Sequence, residues 1–176
     1  MKIQIIGFSG SGKSTLAKKL GEIYNIPVLY LDNTKFYGNW EEYTAEQQTA
    51  IVKEFMDKNS HSWVIDGNYR KIYPERFQQS DMTIYMNFNR FKCFVSAYKR
   101  YKKYKGSSRE SCPCDEKFDW EFAKWILFKS RTRQKKKQLL ELLNKTNGKK
   151  YIFKNRKQVN KFVELIKNEN KTSNLK

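Results

Sequence analysis

Residues 7–14 read G-F-S-G-S-G-K-S and directly follow an apolar run that holds Ile3, Ile5 and Ile6. Glycines, a lysine and a hydroxyl at this spacing suit one chemistry above others, the gripping of a nucleoside triphosphate tail. Gly7, Gly10 and Gly12 let the backbone wrap closely around phosphate oxygens, where a Cβ would clash. The loop amides, those of Ser9 and Ser11 among them, then face the anion. A helix beginning near Lys13 adds the positive end of its dipole. In such a cradle Lys13 reaches the β- and γ-phosphates, Ser14 places its hydroxyl on a magnesium ion, and Thr15 bonds an α-phosphate oxygen. The expected ligands are therefore ATP and Mg2+.

Two further constellations carry chemistry. Residues 63–70 read W-V-I-D-G-N-Y-R. An acidic residue at the end of a buried strand, beside a phosphate loop, faces the site in a parallel sheet. Asp66 can hold magnesium through water; its plainer role is an N-cap or turn carboxylate. Gly67 permits close backbone approach, and Arg70 is placed to fork onto an acceptor phosphate. Asp32, followed by Lys35 and Tyr37, ends another strand. It can orient or deprotonate an acceptor hydroxyl or join the magnesium shell, or simply start a turn. Phe36, Tyr37 and Trp40 either wall an acceptor pocket or pack their own loop down. Cys112-Pro113-Cys114 has C-x-C spacing with no second pair, which argues against a zinc site, and the lone His61 reads as a surface residue.

The elements that must position these groups alternate. Strands are expected over residues 2–6, 27–31, 62–65, 82–86 and 151–153. Helices are expected over 13–24, 42–59, 74–79, 90–105, 119–143 and 157–167. Residues 32–40 form an aromatic-rich loop, 106–118 are irregular, and the polar tail from 168 frays. Strands alternating with helices imply an α/β fold with a parallel sheet covered on both faces. The chain reads as one domain over residues 1–170, with an acceptor-binding segment near 32–60, a lid near 100–135 and a disordered tail at 171–176.

Bulk properties narrow the class. The 176 residues suffice for one core domain with an insertion. No apolar run approaches the ~20 residues that span a bilayer. The N-terminal apolar run breaks at once into the glycine loop, unlike a signal peptide, so a cytoplasmic location is expected. Net charge is +18, and between residues 90 and 150 there are 19 Lys/Arg against 6 Asp/Glu. That field attracts polyanions, nucleotide phosphates or nucleic acid.

With these residues assembled, the chain resembles the nucleoside-monophosphate-kinase branch of P-loop NTPases, an adenylate-kinase-like group. More closely it is similar to the small DNA topology modulation (FlaR-like) proteins. The similarity runs from Met1 to about Phe162 and is carried by IIGFSGSGKSTLAKKLG, VLYLDNTKFYGNW, WVIDGNYR and CPCDEKFDWEFAKWI with the following Arg131-Thr132-Arg133. It implies a three-layer fold, sheet order 2-3-1-4-5, and a helical lid insertion over the phosphates. It implies that Arg70 is the acceptor-phosphate arginine and that Arg100, Arg131 and Arg133 are lid-side arginines neutralising charge during transfer. Lys154 and Asn155 fall where relatives line the adenine with backbone. Ser96 stands where relatives often place an arginine, and Asp32-Asn33-Thr34-Lys35 departs from the adenylate-kinase acceptor signature, which makes AMP a poor candidate substrate.

The expectation is an ATP-dependent, magnesium-requiring phosphotransferase acting on a small, nucleotide- or nucleoside-like acceptor, as monomer or dimer. The competing expectation is an ATP-regulated nucleic-acid-binding protein using Lys129, Arg131, Arg133 and Lys135–Lys137. On one helix those side chains point around most of the circumference, which suits a solvated surface better than a groove reader. Asn144-Lys145-Thr146-Asn147 only superficially suggests a guanine-reading N-K-x-D.

Overall fold

The computed structural model describes residues 1–38 and 40–173. The strands are β1 (Lys2–Gly7), β2 (Val28–Tyr30), β3 (Phe36–Gly38), β4 (Glu41–Glu42), β5 (Trp63–Asp66), β6 (Met82–Met86) and β7 (Lys149–Phe153). The helices are α1 (Lys13–Tyr24), α2 (Leu31–Lys35), α3 (Ala45–Lys58), α4 (Arg76–Gln79), α5 (Arg90–Tyr104), α6 (Trp120–Leu127), α7 (Arg133–Asn144) and α8 (Arg156–Ser173).

Five strands form the main sheet in the order β2-β5-β1-β6-β7. Every pairing within it is parallel. Counted within that sheet alone, the order is the expected 2-3-1-4-5; the small β3–β4 hairpin only shifts the labels. In β5 and β6 every residue is buried, and in β1 every residue from Ile3 onward. Successive side chains of a strand point to opposite faces, so both faces of the sheet are covered. Helices α1 and α8 pack on each other, while α4 and α7 pack on β1 and β6. Leu16, Ala17 and Leu20 of α1, Val159, Val163 and Ile166 of α8, and Leu139, Leu142 and Leu143 of α7 close the main core around Ile3, Ile5 and Ile84. A smaller core holds Val52 and Met56 of α3 against Leu31, Trp63 and Ile65.

The structure corrects three local expectations. Residues 32–40 are not simply a loop: after β2 the chain makes the short helix α2 and then the antiparallel β3–β4 hairpin. Ring contacts hold this hairpin, Phe36 on Trp40 at 5.2 Å and Tyr37 on Tyr43 at 4.9 Å. The expected long helix over 119–143 is broken into α6, a 3-10 turn (Lys129–Arg131) and α7. Phe128 leaves helical geometry, and Thr132 turns extended to cap α7 by accepting from the Lys135 N–H. A threonine supplies such a cap at little cost, which propensity alone does not reveal. The closing helix runs to Ser173, past the point where fraying was expected, and Asn170 Nδ2 donates to the Ile23 carbonyl. Of the expected tail, residues 174–176 lie outside the described residues.

Among the described residues, no helix is long and apolar enough to cross a membrane.

Candidate active site

The glycine loop joins β1 to α1 at the C-terminal edge of the sheet, where parallel sheets place their ligands. Gly12 is left-handed (φ 89°), and a Cβ there would stand 2.6 Å from Arg156 Nη1. Gly10 is left-handed too (φ 75°), and its Cβ would stand 2.2 Å from the Cys93 carbonyl oxygen. The loop is thus pressed between the backbone of α5, which leaves no room for a side chain at Gly10, and the guanidinium of Arg156, the first residue of α8, beside Gly12. Ser11 N–H donates to the Phe8 carbonyl at 3.1 Å, tightening the turn. Lys13 Nζ donates to that same carbonyl at 3.3 Å.

Asn68 anchors the loop from the next strand. Its Oδ1 accepts from the Gly7 N–H at 2.9 Å, and its Nδ2 donates to the Gly7 carbonyl at 2.8 Å. Nothing in the motif itself signals this residue; the only cue is an amide two positions past a strand-end aspartate.

Asp66 ends β5, beside Ile5 of β1 and Tyr30 of β2. Its Oδ2 accepts from Ser14 Oγ at 2.7 Å. Its Oδ1 is buried and has no partner. Burial raises the Asp66 pKa to about 6; Lys13 and the Ser14 hydrogen bond pull it back down, and Asp32 pushes it further up. A buried carboxylate with one orphaned oxygen is costly unless a cation joins it. Ser14 Oγ and Asp66 together form a hard oxygen donor pair that fits Mg2+.

The segment after β5 is built on a buried arginine that sequence reading missed. Arg76 is fully buried. Its Nε donates to Gln4 Oε1 at 3.0 Å, Nη2 to the Tyr69 carbonyl at 2.8 Å, and Nη1 to the carbonyls of Tyr73 (3.0 Å) and Ile72. Gln4 Nε2 in turn donates to the carbonyls of Ile65 and Gly67. Burial lowers the Arg76 pKa to about 9. It stays charged at neutral pH, its charge spread over backbone oxygens. This network fixes residues 67–73, the segment that carries Tyr69 and Arg70. Tyr69 Oη donates to Asp32 Oδ1 at 2.6 Å, so Asp32 and Tyr69 act as one unit. Arg70, in the middle of the segment, is exposed.

Residues 105–119 hold a second buried charge cluster together with α5. Glu116 receives Arg100 Nη2 at 2.6 Å on Oε1 and Arg109 Nε at 2.6 Å on Oε2. Its side chain is 4% exposed. Arg109 also reaches Ser111 Oγ at 2.7 Å. Glu110 ties this segment to α1 and α2: Lys18 Nζ meets Glu110 Oε2 at 2.6 Å, and Asn33 Nδ2 donates to the Glu110 carbonyl at 2.8 Å. Cys112 and Cys114 are buried free thiols, burial pushing Cys112 up to about 11. Among the described residues no group of three His, Cys, Asp or Glu could hold a metal.

The sequence-named arginines are dispersed. Arg100 is committed to Glu116. Arg131 is buried, its guanidinium 3.7 Å from the centre of the Phe8 ring, with Nη1 donating at 2.6 Å to the Phe88 carbonyl. Arg133 is exposed at the first position of α7, and Thr15 is exposed on α1. Asn155 caps α8, its Oδ1 accepting from the Gln158 N–H at 3.0 Å. Arg156, one position on, lies over Gly12 and was not foreseen. A cavity of about 330 Å³ opens between Asn87–Arg90 and Lys154, with Arg131 and Lys136 in its wall. A larger one of about 450 Å³ lies away from the glycine loop, between α1, Val28 and Glu110.

No protein-family model matches this chain, and no curated protein matches it. Solved structures do. A shikimate kinase from Bacteroides thetaiotaomicron aligns over 94% of this chain and 96% of its own, with TM-score 0.56 and 17% identity. An uncharacterized protein from Eubacterium ventriosum aligns over 94% and 96%, with TM-score 0.51 and 17% identity. A deoxyadenosine kinase from M. mycoides aligns over 98% and 100%, with TM-score 0.49 and 15% identity. At these identities the likeness concerns architecture. The chain shares the three-layer α/β architecture of that shikimate kinase, a five-stranded parallel sheet flanked by helices, with the glycine loop and the strand-end aspartate at one edge of the sheet.

Proposed function

We propose that the chain is a magnesium-dependent phosphotransferase that moves the γ-phosphate of ATP to a small acceptor of nucleoside or nucleotide type. The observation that carries this reading is the Ser14–Asp66 contact with its orphaned Oδ1, set beside Lys13 in the mouth of the glycine loop. The kinase fold supports it, and so does the resemblance to FlaR-like proteins in four segments.

Phosphoryl transfer needs alignment, charge neutralisation and exclusion of water more than covalent help. The amides of Ser9, Gly10 and Gly12 to Ser14, leading into the α1 N-terminus, hold the triphosphate, in a turn tightened by the Ser11 N–H on the Phe8 carbonyl. Lys13 leaves the Phe8 carbonyl and takes the β- and γ-oxygens. Ser14 and Asp66 would hold the metal ion, which screens the charge on the β- and γ-phosphates. Arg156, beside Gly12, adds a second cation to the nucleotide side. The cavity flanked by Lys154 takes the adenosine end, with the backbone of residues 154 and 155 along it. Asp32, oriented by the Tyr69 hydroxyl, receives the proton of the acceptor hydroxyl, and Arg70 pairs with an acceptor phosphate. Residues 105–119, held in shape by Glu116 with Arg100 and Arg109, shut out water. Arg133 is the lid-side arginine free to approach the transferring group, while Arg131 supports the loop from behind through Phe8.

An ATP-consumption screen across nucleosides, nucleotides, shikimate-like and sugar acceptors, with Lys13→Ala as control, tests the proposal. An acceptor that accelerates ATP turnover only in the wild type supports it. Equal turnover in Lys13→Ala would show that the site is elsewhere.

A further inference from the structure

Helices α5 and α6 carry a continuous run of aromatic rings, partly packed against the main core and opening to solvent along α5, that the phosphotransfer reading does not use. Phe118 is its hub: its centroid lies 5.5 Å from Phe94, 5.4 Å from Tyr98 and 5.8 Å from Phe122. Phe122 continues to Trp125 at 6.0 Å, the two rings stacked and nearly parallel at 12°. None of these rings is fully buried. On α5 the stripe extends along Phe91, Val95 and Tyr98, spaced i, i+4, i+7 on one helix face. Their exposures of 66%, 49% and 41% are large for apolar residues.

The charge around this stripe is mainly positive, although Asp119 and Glu121 flank Phe118 and Phe122 at the start of α6. Helix α5 holds six Lys/Arg and no Asp or Glu. Lysines sit on the rings themselves: Lys102 Nζ is 5.0 Å from the Tyr98 centroid and Lys135 Nζ 5.8 Å from that of Trp125. A second copy of this chain would bring two such cationic faces together, which like-charge repulsion opposes. A bilayer interior would have to accept ammonium groups sharing the ring faces, which is costly. A polyanion with flat apolar units satisfies both features at once, phosphates meeting the lysines and bases stacking on the rings.

We propose that the α5–α6 aromatic stripe binds single-stranded nucleic acid without sequence preference. This site is separate from the glycine loop and does not rest on the phosphotransfer reading. It also differs from the basic row over residues 129–137 that the sequence alone pointed to: Arg131 of that row is buried against Phe8, and the stripe takes only Lys135 from it.

The test is fluorescence anisotropy of the full chain with a labelled 15-mer of oligothymidylate and a mixed-sequence RNA of equal length. The titrations run from 50 to 200 mM salt, with anionic phosphatidylserine vesicles as a separate arm. The expected result is binding that weakens steeply with salt. Phe91→Ser and Tyr98→Ala together should weaken it about tenfold, at unchanged salt slope and unchanged thermal melting. Lys102→Gln and Lys135→Gln should each lower the salt slope by about one. Lys13→Ala should bind the oligomer as the wild type does, so loss of kinase function and loss of this site are told apart. Unchanged affinity in the aromatic double variant overturns the proposal. So does vesicle binding without oligomer binding, or a dimer in sedimentation that the same double variant dissolves.

Discussion

Replacing Asp66 by asparagine isolates the group on which metal binding depends. Asparagine keeps the shape and can still accept from Ser14 Oγ, but removes the charge. Burial has moved the Asp66 pKa from 3.8 to about 6, a shift of two units, or about 3 kcal/mol. The sign follows from proton linkage: a carboxyl with a raised folded-state pKa holds its proton longer in the native protein than in the unfolded chain. Its stabilising contribution is complete below pH ~4 and is lost as pH rises through about 6. Without metal, wild-type stability minus variant stability should therefore fall by about 3 kcal/mol between pH 4 and pH 7.5. Urea unfolding of both proteins across that range, in chelator, measures it. Adding Mg2+ with ATP at pH 7.5 should stabilise the wild type and leave Asp66→Asn nearly unmoved. A stability difference independent of pH, or equal stabilisation of both proteins by Mg2+ and ATP, would refute the reasoning that the orphaned Oδ1 awaits a cation.

Other perturbations separate the parts of the site. Arg76→Met leaves the carbonyls of Tyr69, Ile72 and Tyr73 without their donor, and should cost about 3 kcal/mol or more in urea unfolding; a near-neutral effect would show that residues 67–73 hold themselves. Glu116→Gln leaves the Arg100 and Arg109 guanidiniums facing each other without a counter-charge. Hydrogen exchange should then speed up across residues 105–119 while the sheet amides stay protected; uniform exchange behaviour would contradict a locally held lid. Gly12→Ala forces a Cβ against Arg156 at a left-handed backbone position, and should raise the KM for ATP at least tenfold with little change in melting temperature.

Much of the fold was legible because its signals are local. Buried parallel strands read as apolar runs, and the glycine loop sets the phase of everything after it, so the α1 and β6 boundaries emerged from the sequence, while the sheet order came from the family resemblance. Position at the sheet edge likewise singled out Asp66 and Asp32 before any contact was visible. What stayed hidden depends on long-range packing. Arg76 looks like any helix-surface arginine until Gln4, 72 positions earlier, is seen to receive it. Glu116, Arg109 and Arg100 become a cluster only when the lid folds back on α5. Arg131 and Arg156 differ in role because one turn after α6 and one cap before α8 aim them differently, and charge type alone carries no aim. The break at Thr132 was invisible because every residue around it tolerates a helix.

The most direct test of nucleotide capture by the glycine loop is calorimetric titration of the intact chain with ATP and Mg2+ at pH 7.5, beside Lys13→Ala. One-to-one binding in the wild type, with affinity lost at least a hundredfold in the variant, is the expected outcome. Equal heats in the two proteins, or no heat in either, would contradict it.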